Sequence, residues 1–328
     1  MQSSNEQVIR TLQSWLHSGH FCWLISIAST WGSSPRPAGS LLVWCAEAGA
    51  LGSLSGGCVE DELLEKLRQS HFATDRLHRE TYGISAEEAT RMRLPCGGSL
   101  SLILEPLHPT PEVLAHVDTM AQLLDQRQGF VRTTTFAQPD QANSDIHTGL
   151  RSQINQTRPQ PVQLTNTEFQ NYLGPRYRLL LVGANQVAEF LADFARTLDF
   201  EILVCDPRPN AFDPWPHDFT TRHAGMPDDV VRAHANDSLS AVVTLSHDPR
   251  VDDMALMEAL TGDSFYVGAM GSLRTTEKRL QRLQQLDLTP AQIARLHAPV
   301  GMAIGSKTPA EIALSIAADL VRHIRRSP

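Results

Sequence analysis

Two glycine turns carry the side chains with the most chemistry. Ser55-Gly56-Gly57-Cys58 puts a thiol where a helix reads as beginning; there the helix dipole favours thiolate and free backbone N–H groups favour an anion. Pro95-Cys96-Gly97-Gly98 offers a second thiol beside a flexible backbone. Arg36, held between Pro35 and Pro37, is a fixed cation suited to clamp a phosphate or carboxylate. The plain alternative for any one of these cysteines is a small buried hydrophobe. Cys22, Cys45 and Cys205 fall inside apolar strand-like runs and read as core. The five cysteines contain no C-x-x-C pair and cannot all pair, so neither a disulfide framework nor a zinc ribbon is expected.

A third constellation lies farther on. Leu179-Leu180-Leu181-Val182-Gly183-Ala184-Asn185-Gln186 leads into a helix and then a strand that ends at Asp206. This is the setting of a dinucleotide fingerprint, in which backbone N–H groups at a helix N-terminus face a phosphate and the acidic residue holds a ribose hydroxyl. Asn185 stands where the second glycine usually does, and so puts a side chain where a pyrophosphate approaches the backbone. Two more strand ends, Ser246-His247-Asp248 and Gly268-Ala269-Met270-Gly271-Ser272, would line the same crevice. For His247 the plain alternative is a solvent-facing loop histidine; for Gly268 and Gly271 it is close strand–helix packing.

Elements must hold these turns in place. Val8, Ile9, Leu12, Trp15 and Leu16 share one face of a helix over Glu6–Ser18, and Phe21–Ser29 reads as a buried strand. A loop containing Arg36 leads to a strand over Leu41–Cys45, and a short third strand ends in Ser55-Gly56-Gly57. Further strands are read over Ser99–Glu105 and Val131–Phe136, and Thr110-Pro111 opens a helix. From Gln138 to Tyr172 the pattern dissolves into a stretch with seven glutamines and little apolar periodicity, which reads as a linker or weakly structured excursion.

Beyond it, strands at Arg178–Val182, Glu201–Cys205, Ala241–Leu245 and Phe265–Val267 alternate with helices at Gln186–Leu198, Asp252–Leu260, Thr275–Leu286 and Pro309–Ile324. Such alternation predicts a doubly wound parallel sheet. Thr289…Gln292 and Thr308…Glu311 have the spacing of capping boxes. The organisation expected is an α/β protein: an N-terminal α+β domain over 1–137, a polar linker over 138–175 and a Rossmann-like domain over 176–328.

Composition narrows the function classes. With 28 Lys+Arg against 36 Asp+Glu, the net charge over 328 residues is −8, which disfavours nucleic acid as a partner. The longest apolar run, Phe21–Ala28 broken by Ser26, is far short of the ~20 residues a membrane span needs. The N-terminus has neither the charge nor the apolar run of a signal peptide, so a cytoplasmic protein is expected.

These residues resemble the XdhC/CoxI family, accessory proteins of xanthine dehydrogenase and related molybdenum hydroxylases. The resemblance rests on Thr30-Trp31-Gly32-Ser33-Ser34-Pro35-Arg36-Pro37, Ser55-Gly56-Gly57-Cys58-Val59-Glu60 and Leu94-Pro95-Cys96-Gly97-Gly98. In the C-terminal half it rests on Asp206-Pro207-Arg208, Ser246-His247-Asp248, the Tyr266–Ser272 run and Pro299–Ala313. It implies a chaperone without turnover, whose cargo is the molybdenum cofactor in its molybdopterin or cytosine dinucleotide form. Such a protein protects the cofactor while a cysteine desulfurase supports its sulfuration, then passes it to an apo molybdenum hydroxylase; a homodimer is expected. Cofactor contacts are expected from Ser34, Arg36, Gly56, Gly57, Cys58, Cys96 and Gly97. In the C-terminal domain they are expected from Gly183, Asn185, Gln186, Asp206, Arg208, His247, Gly268 and Gly271, with Cys58 nearest the molybdenum. The chain departs from the family at Asn185, where G-A-G is usual, and at Met302-Ala303, where a leucine and a polar residue are usual. Two other classes remain: an NAD(P)-dependent oxidoreductase using the C-terminal domain, and a thiol enzyme or redox sensor built on Cys58.

Overall fold

The computed structural model describes residues 5–32, 36–83, 99–136, 148–152 and 162–326, with the backbone alone for Cys58, 148–152 and Arg326. Ser34, Cys96 and Gly97 therefore lie outside the described residues. The chain forms two compact units, Met1–Pro175 and Arg176–Pro328.

The first unit contains α1 (Asn5–His17), β1 (Cys22–Trp31), β2 (Leu41–Cys45), β3 (Gly49–Gly52), α2 (Cys58–Arg68) and β4 (His78–Tyr82). It continues with β5 (Ser99–Leu107), α3 (Pro111–Asp125), β6 (Phe130–Thr135), β7 (Thr148–Ser152), β8 (Val162–Leu164) and β9 (Glu168–Leu173). Among the described residues one antiparallel sheet has the order β3-β2-β1-β5-β4. Alternate residues of β1 explain why Cys22–Ile27 is apolar on both faces, Ser26 excepted. Cys22 and Leu24 pack with Val8, Leu12 and Leu16 of α1 and Met120 of α3. Trp23, Ile25 and Ile27 pack on the other face with Val59, Leu63 and Leu67 of α2. Both faces are covered, so neither needs polar residues.

A second sheet corrects the expected linker over 138–175. Strands β7, β8 and β9 lie within that stretch, and with β6 they form the order β7-β6-β9-β8. The inward positions of β6 are Phe130, Arg132 and Thr134, and those of β9 are Phe169, Asn171 and Leu173. Half of these are polar, so the period-2 hydrophobic signal that announces a strand is absent. Polarity inside is tolerated because it is paired. Arg132 binds Glu105 of β5 through two hydrogen bonds of 2.6 and 2.9 Å, both side chains being buried, and Thr134 adds a third donor at 3.3 Å.

The same guanidinium donates through Nε to Nε2 of His116 at 3.2 Å, which requires that nitrogen to be unprotonated. Burial, and then the Arg132 charge, push the His116 imidazole down to about 3. The unfolded chain takes up this proton near its ordinary value of 6.5, so the unfolded state binds more protons in between. The stabilisation is complete above about pH 6.5 and is lost as the pH falls toward 3. Denaturation midpoints measured from pH 7 to pH 4 should decline, and His116→Asn, which cannot titrate, should decline less.

The second unit contains β10 (Arg178–Val182), α4 (Gln186–Thr197), β11 (Glu201–Cys205), β12 (Thr221–His223), α5 (Pro227–His234) and β13 (Ser240–Thr244). It ends with α6 (Pro249–Thr261), β14 (Tyr266–Ala269), α7 (Leu273–Gln285), α8 (Pro290–Ile293), β15 (Leu296–His297) and α9 (Pro309–Arg326). Its strands, all parallel, run β12-β11-β10-β13-β14-β15. Counted within the unit this is 3-2-1-4-5-6, the Rossmann order, with its switch point between β10 and β13. Helices α4 and α9 cover one face, and α5, α6 and α7 cover the other. Thr289 and Gln292 close the expected capping box, and Glu311 accepts from the Lys307 and Thr308 N–H groups at the head of α9. No helix among the described residues is long and apolar enough to cross a membrane.

Candidate functional site

In the first unit the strand registers bring several loops to one end of the five-stranded sheet. Ser26 pairs with Leu41 at the start of β2, and Leu42 pairs with Gly52 at the end of β3. Trp31, the last residue of β1, pairs with Ser99, the first of β5. The chain from Trp31 to Ser40 and the Ser53–Gly57 turn therefore leave the sheet at the same end. The Arg36 loop is tied down behind its arginine. Gly39 N–H donates to the Ile27 carbonyl at 2.8 Å, while its own carbonyl accepts from Asn5 and Asn171 side chains at 2.9 and 3.2 Å.

The Ser53–Gly57 turn is held by Glu60, a residue whose acidity alone suggests only a favourable place at a helix N-terminus. Its Oε2 accepts from Ser53 Oγ at 3.0 Å and Leu54 N at 2.9 Å, with longer contacts to Ser55 N and Gly56 N at 3.5 and 3.4 Å. Glu60 stands at the third position of α2, the place from which a capping box reaches back, and that spacing was the signal for it. Gly57, the N-cap, supplies no side chain to cap the helix. Among the described residues Ser55 Oγ is buried with no hydrogen-bond partner, and a Cβ added at Gly56 or Gly57 would meet nothing within 4 Å. Gly56 has φ +68°, a left-handed conformation that favours glycine, so the turn itself accounts for it, whereas no contact among the described residues accounts for Gly57. Glu60→Ala should cost about 1.5–3 kcal/mol, the scale of hydrogen bonds to a charged group, and speed amide exchange across Ser53–Gly57; unchanged exchange there would show that the carboxylate does not hold the turn.

The second unit uses its fingerprint residues differently. Gly183 has φ +106°, and a Cβ there would sit 2.8 Å from Ser246 N, so glycine is required for the turn after β13 to approach. Asn185 caps α4, its Oδ1 accepting from Ala188 N at 3.1 Å, while its Nδ2 donates to the Leu245 carbonyl at 2.7 Å. The side chain therefore spans the switch point from β10 to β13. Gln186, next to it, is exposed. Asn185→Ala should lower stability of this unit by about 1–2 kcal/mol, a cap plus one further hydrogen bond, in chemical denaturation.

Asp206 is buried and saturated. One oxygen accepts from Arg208 N at 3.0 Å and Arg208 Nε at 2.9 Å, the other from Ala184 N at 2.8 Å and Arg208 Nη2 at 2.6 Å. Burial alone would raise its pKa, but these hydrogen bonds outweigh burial and hold the carboxyl below its ordinary value. In this geometry no acceptor site is left for the ribose hydroxyl that the sequence pattern assigns to it. His247 is exposed at the end of β13. Gly268 is hemmed in by Val300 and Tyr266, and Gly271 by Thr275, so both have packing reasons to lack a side chain. Below this rim, Arg279 joins Asp252 at 2.8 Å and the Met270 carbonyl at 3.0 Å, a buried brace that residue spacing did not reveal.

Comparisons with known proteins agree with both halves. A family model described as the XdhC Rossmann domain matches residues 179–320, and one described as the XdhC and CoxI family matches residues 15–83. A protein of Escherichia coli K12 named molybdenum cofactor insertion chaperone PaoD is 26% identical over 322 residues, covering 98% of this chain and 89% of that one. A Bacillus subtilis protein named as a probable xanthine dehydrogenase subunit is 24% identical over 330 residues, covering 92% of this chain and 93% of that one. A Bacillus halodurans crystal structure described as a xanthine dehydrogenase has a TM-score of 0.76 at 22% identity, over 99% of this chain and 97% of that one.

Proposed function

Because the chain belongs to the XdhC and CoxI family, we propose that it carries the molybdenum cofactor as cargo and inserts it into a hydroxylase of the xanthine oxidase class. The observation that carries this reading is the Ser53–Cys58 turn. It combines two glycines whose missing side chains leave open space among the described residues, a buried hydroxyl lacking a partner there and a cysteine as the first residue of a helix. An anionic, phosphorylated pterin with a sulfur-bound metal asks for those groups: N–H donors for phosphate, a cation such as Arg36, and a soft sulfur ligand. The relative named as a molybdenum cofactor insertion chaperone supports the same cargo.

In this reading the protein performs no turnover. It shelters the cofactor, presents it to a cysteine desulfurase for exchange of a terminal oxo ligand for sulfur, and releases it to the apo-enzyme. Cys58 contacts the molybdenum end, and Cys96 assists it. The second unit is a Rossmann-fold platform whose switch point is bridged by Asn185 and whose strand-end acid is occupied by Arg208. That geometry speaks against a nicotinamide enzyme in the usual pose. The test is anaerobic incubation with freshly released molybdenum cofactor, followed by gel filtration, metal analysis and pterin fluorescence after oxidation. The reading expects about one cofactor per chain and higher activity of a coexpressed xanthine dehydrogenase-type enzyme. A chain that takes up no pterin, and instead turns over a metabolite with nicotinamide, would overturn it.

A further inference from the structure

The cysteines of the apolar strands have chemistry of their own. His20, Cys45 and Glu47 bring a ring nitrogen, a sulfur and a carboxylate oxygen all within 4.8 Å of one another. Cys45 Sγ donates to Glu47 Oε2 at 3.0 Å, and His20 Nδ1 lies 3.8 Å from the same oxygen. From this cluster the geometry points to a binding site for a thiophilic divalent cation of the zinc class, formed by His20, Cys45 and Glu47.

The backbone fixes each donor. Helix α1 ends in a reverse turn in which Gly19 N donates to the Leu16 carbonyl at 2.9 Å and His20 N to the Trp15 carbonyl at 3.1 Å. Gly19 has φ +84°, the left-handed geometry of a Schellman C-cap, so His20 follows in a determined place. Cys45 ends β2 and pairs with Gly49 across the tight turn that carries Glu47. Cys45 is fully buried among the apolar side chains under α1, whereas His20 is half-buried and Glu47 is exposed. A cation could therefore enter from the solvent side, past the two donors free to adjust, and reach a sulfur that is not.

The spacing fits. A tetrahedral zinc-type ion with sulfur at about 2.3 Å and nitrogen or oxygen at about 2.0–2.2 Å places those donors about 3.4–3.6 Å apart. The sulfur–oxygen separation must open by about half an ångström and the nitrogen–oxygen one close by less, while the ring nitrogen and the sulfur, within 4.8 Å of each other, must close by up to about 1.3 Å; torsions of the exposed Glu47 and the half-buried His20 supply these shifts. Nitrogen, sulfur and carboxylate together suit zinc, and three protein donors leave a fourth position open to water. The chemistry balances as an exchange: the cation takes the place of the Cys45 thiol proton, which leaves to solvent, and the Cys45–Glu47 hydrogen bond gives way to two metal bonds. Burial raises the Cys45 thiol above its ordinary value, so in the metal-free protein the sulfur keeps its proton. Cys22, beside it, donates to the His20 carbonyl at 3.8 Å and lies outside the ligand group. A bound ion would join the α1–β1 turn to the β2–β3 turn, at the end of β1 opposite the Arg36 loop.

Cobalt(II) titration of the reduced, chelator-treated full chain tests this without any molybdenum cofactor. One equivalent should bind, with sulfur-to-cobalt charge-transfer absorption in the near ultraviolet, and zinc should displace it. Cys45→Ser should abolish that absorption. His20→Ala and Glu47→Ala, at surface positions where folding is not at issue, should weaken binding by about ten-fold or more, since even outer-shell partners carry that much. Absence of stoichiometric cobalt uptake, survival of the charge-transfer band in Cys45→Ser, or undiminished affinity in both surface variants would each overturn the assignment.

Discussion

Cys58→Ala should lower activation of a coexpressed molybdenum hydroxylase by about ten-fold or more, the scale on which loss of a single group supporting a metal acts. The fold should not suffer. Cys58 is the first residue of α2, preceded by Gly57 and held behind by Glu60, and alanine is a better helix former than cysteine. What the substitution removes is a soft sulfur donor beside the glycine turn. Cys58→Ser should not rescue, because a hydroxyl stays protonated and is a poor ligand for a soft metal centre. Two readouts separate binding from transfer: pterin retained after gel filtration, and specific activity of the client. If both equal wild type in Cys58→Ala, the thiol has no part in handling the cargo.

Arg132→Ala should cost about 3–5 kcal/mol, the penalty for stranding a buried charge. Glu105 is fully buried and receives its donors from Arg132 and Thr134, so the alanine variant leaves a carboxylate with one weak partner in an apolar setting. It must then take up a proton or draw in water. Guanidinium denaturation of the full chain should show an earlier transition for the first unit. A Glu105→Leu/Arg132→Met double variant should recover most of the loss, because a matched apolar pair has no unpaired charge. A single variant as stable as wild type would show that the Arg132–Glu105 pair does not hold the second sheet in place.

The parts of the fold that could be read from the sequence are those where burial is apolar and periodic. Strands β1, β2, β10, β11 and β13 and helices α1, α4 and α9 follow from apolar runs and 3.6-residue stripes, and the starts of α3, α8 and α9 from Thr-Pro pairs. Of the second sheet of the first unit only β6 was legible; its partners escaped because inward positions such as Arg132, Thr134 and Asn171 are polar and are satisfied by partners distant in sequence. No local pattern announces a partner 27 or 132 residues away. Strands β12 and β15 escaped because they are only three and two residues long. For the candidate site, the turns themselves were legible and the roles inside them were not. Glu60 read as a dipole complement and is the anchor of the glycine turn; Asn185 read as an obstruction and is a cap and a bridge. Composition could assign Cys45 to the core, but its position beside His20 and Glu47 depends on how two turns end.

The engaged carboxylate at the end of β11 has a consequence for selectivity. A sugar reaching that corner could gain a contact with Asp206 only by exchanging a charge-assisted guanidinium bond for a neutral hydroxyl, a net loss. The corner presents an exposed guanidinium in place of a free carboxylate, a charge that suits an anionic group such as a 2′-phosphate and gives a ribose 2′-hydroxyl nothing to bind. With the acid engaged, a molecule without a ribose is at no disadvantage at this corner.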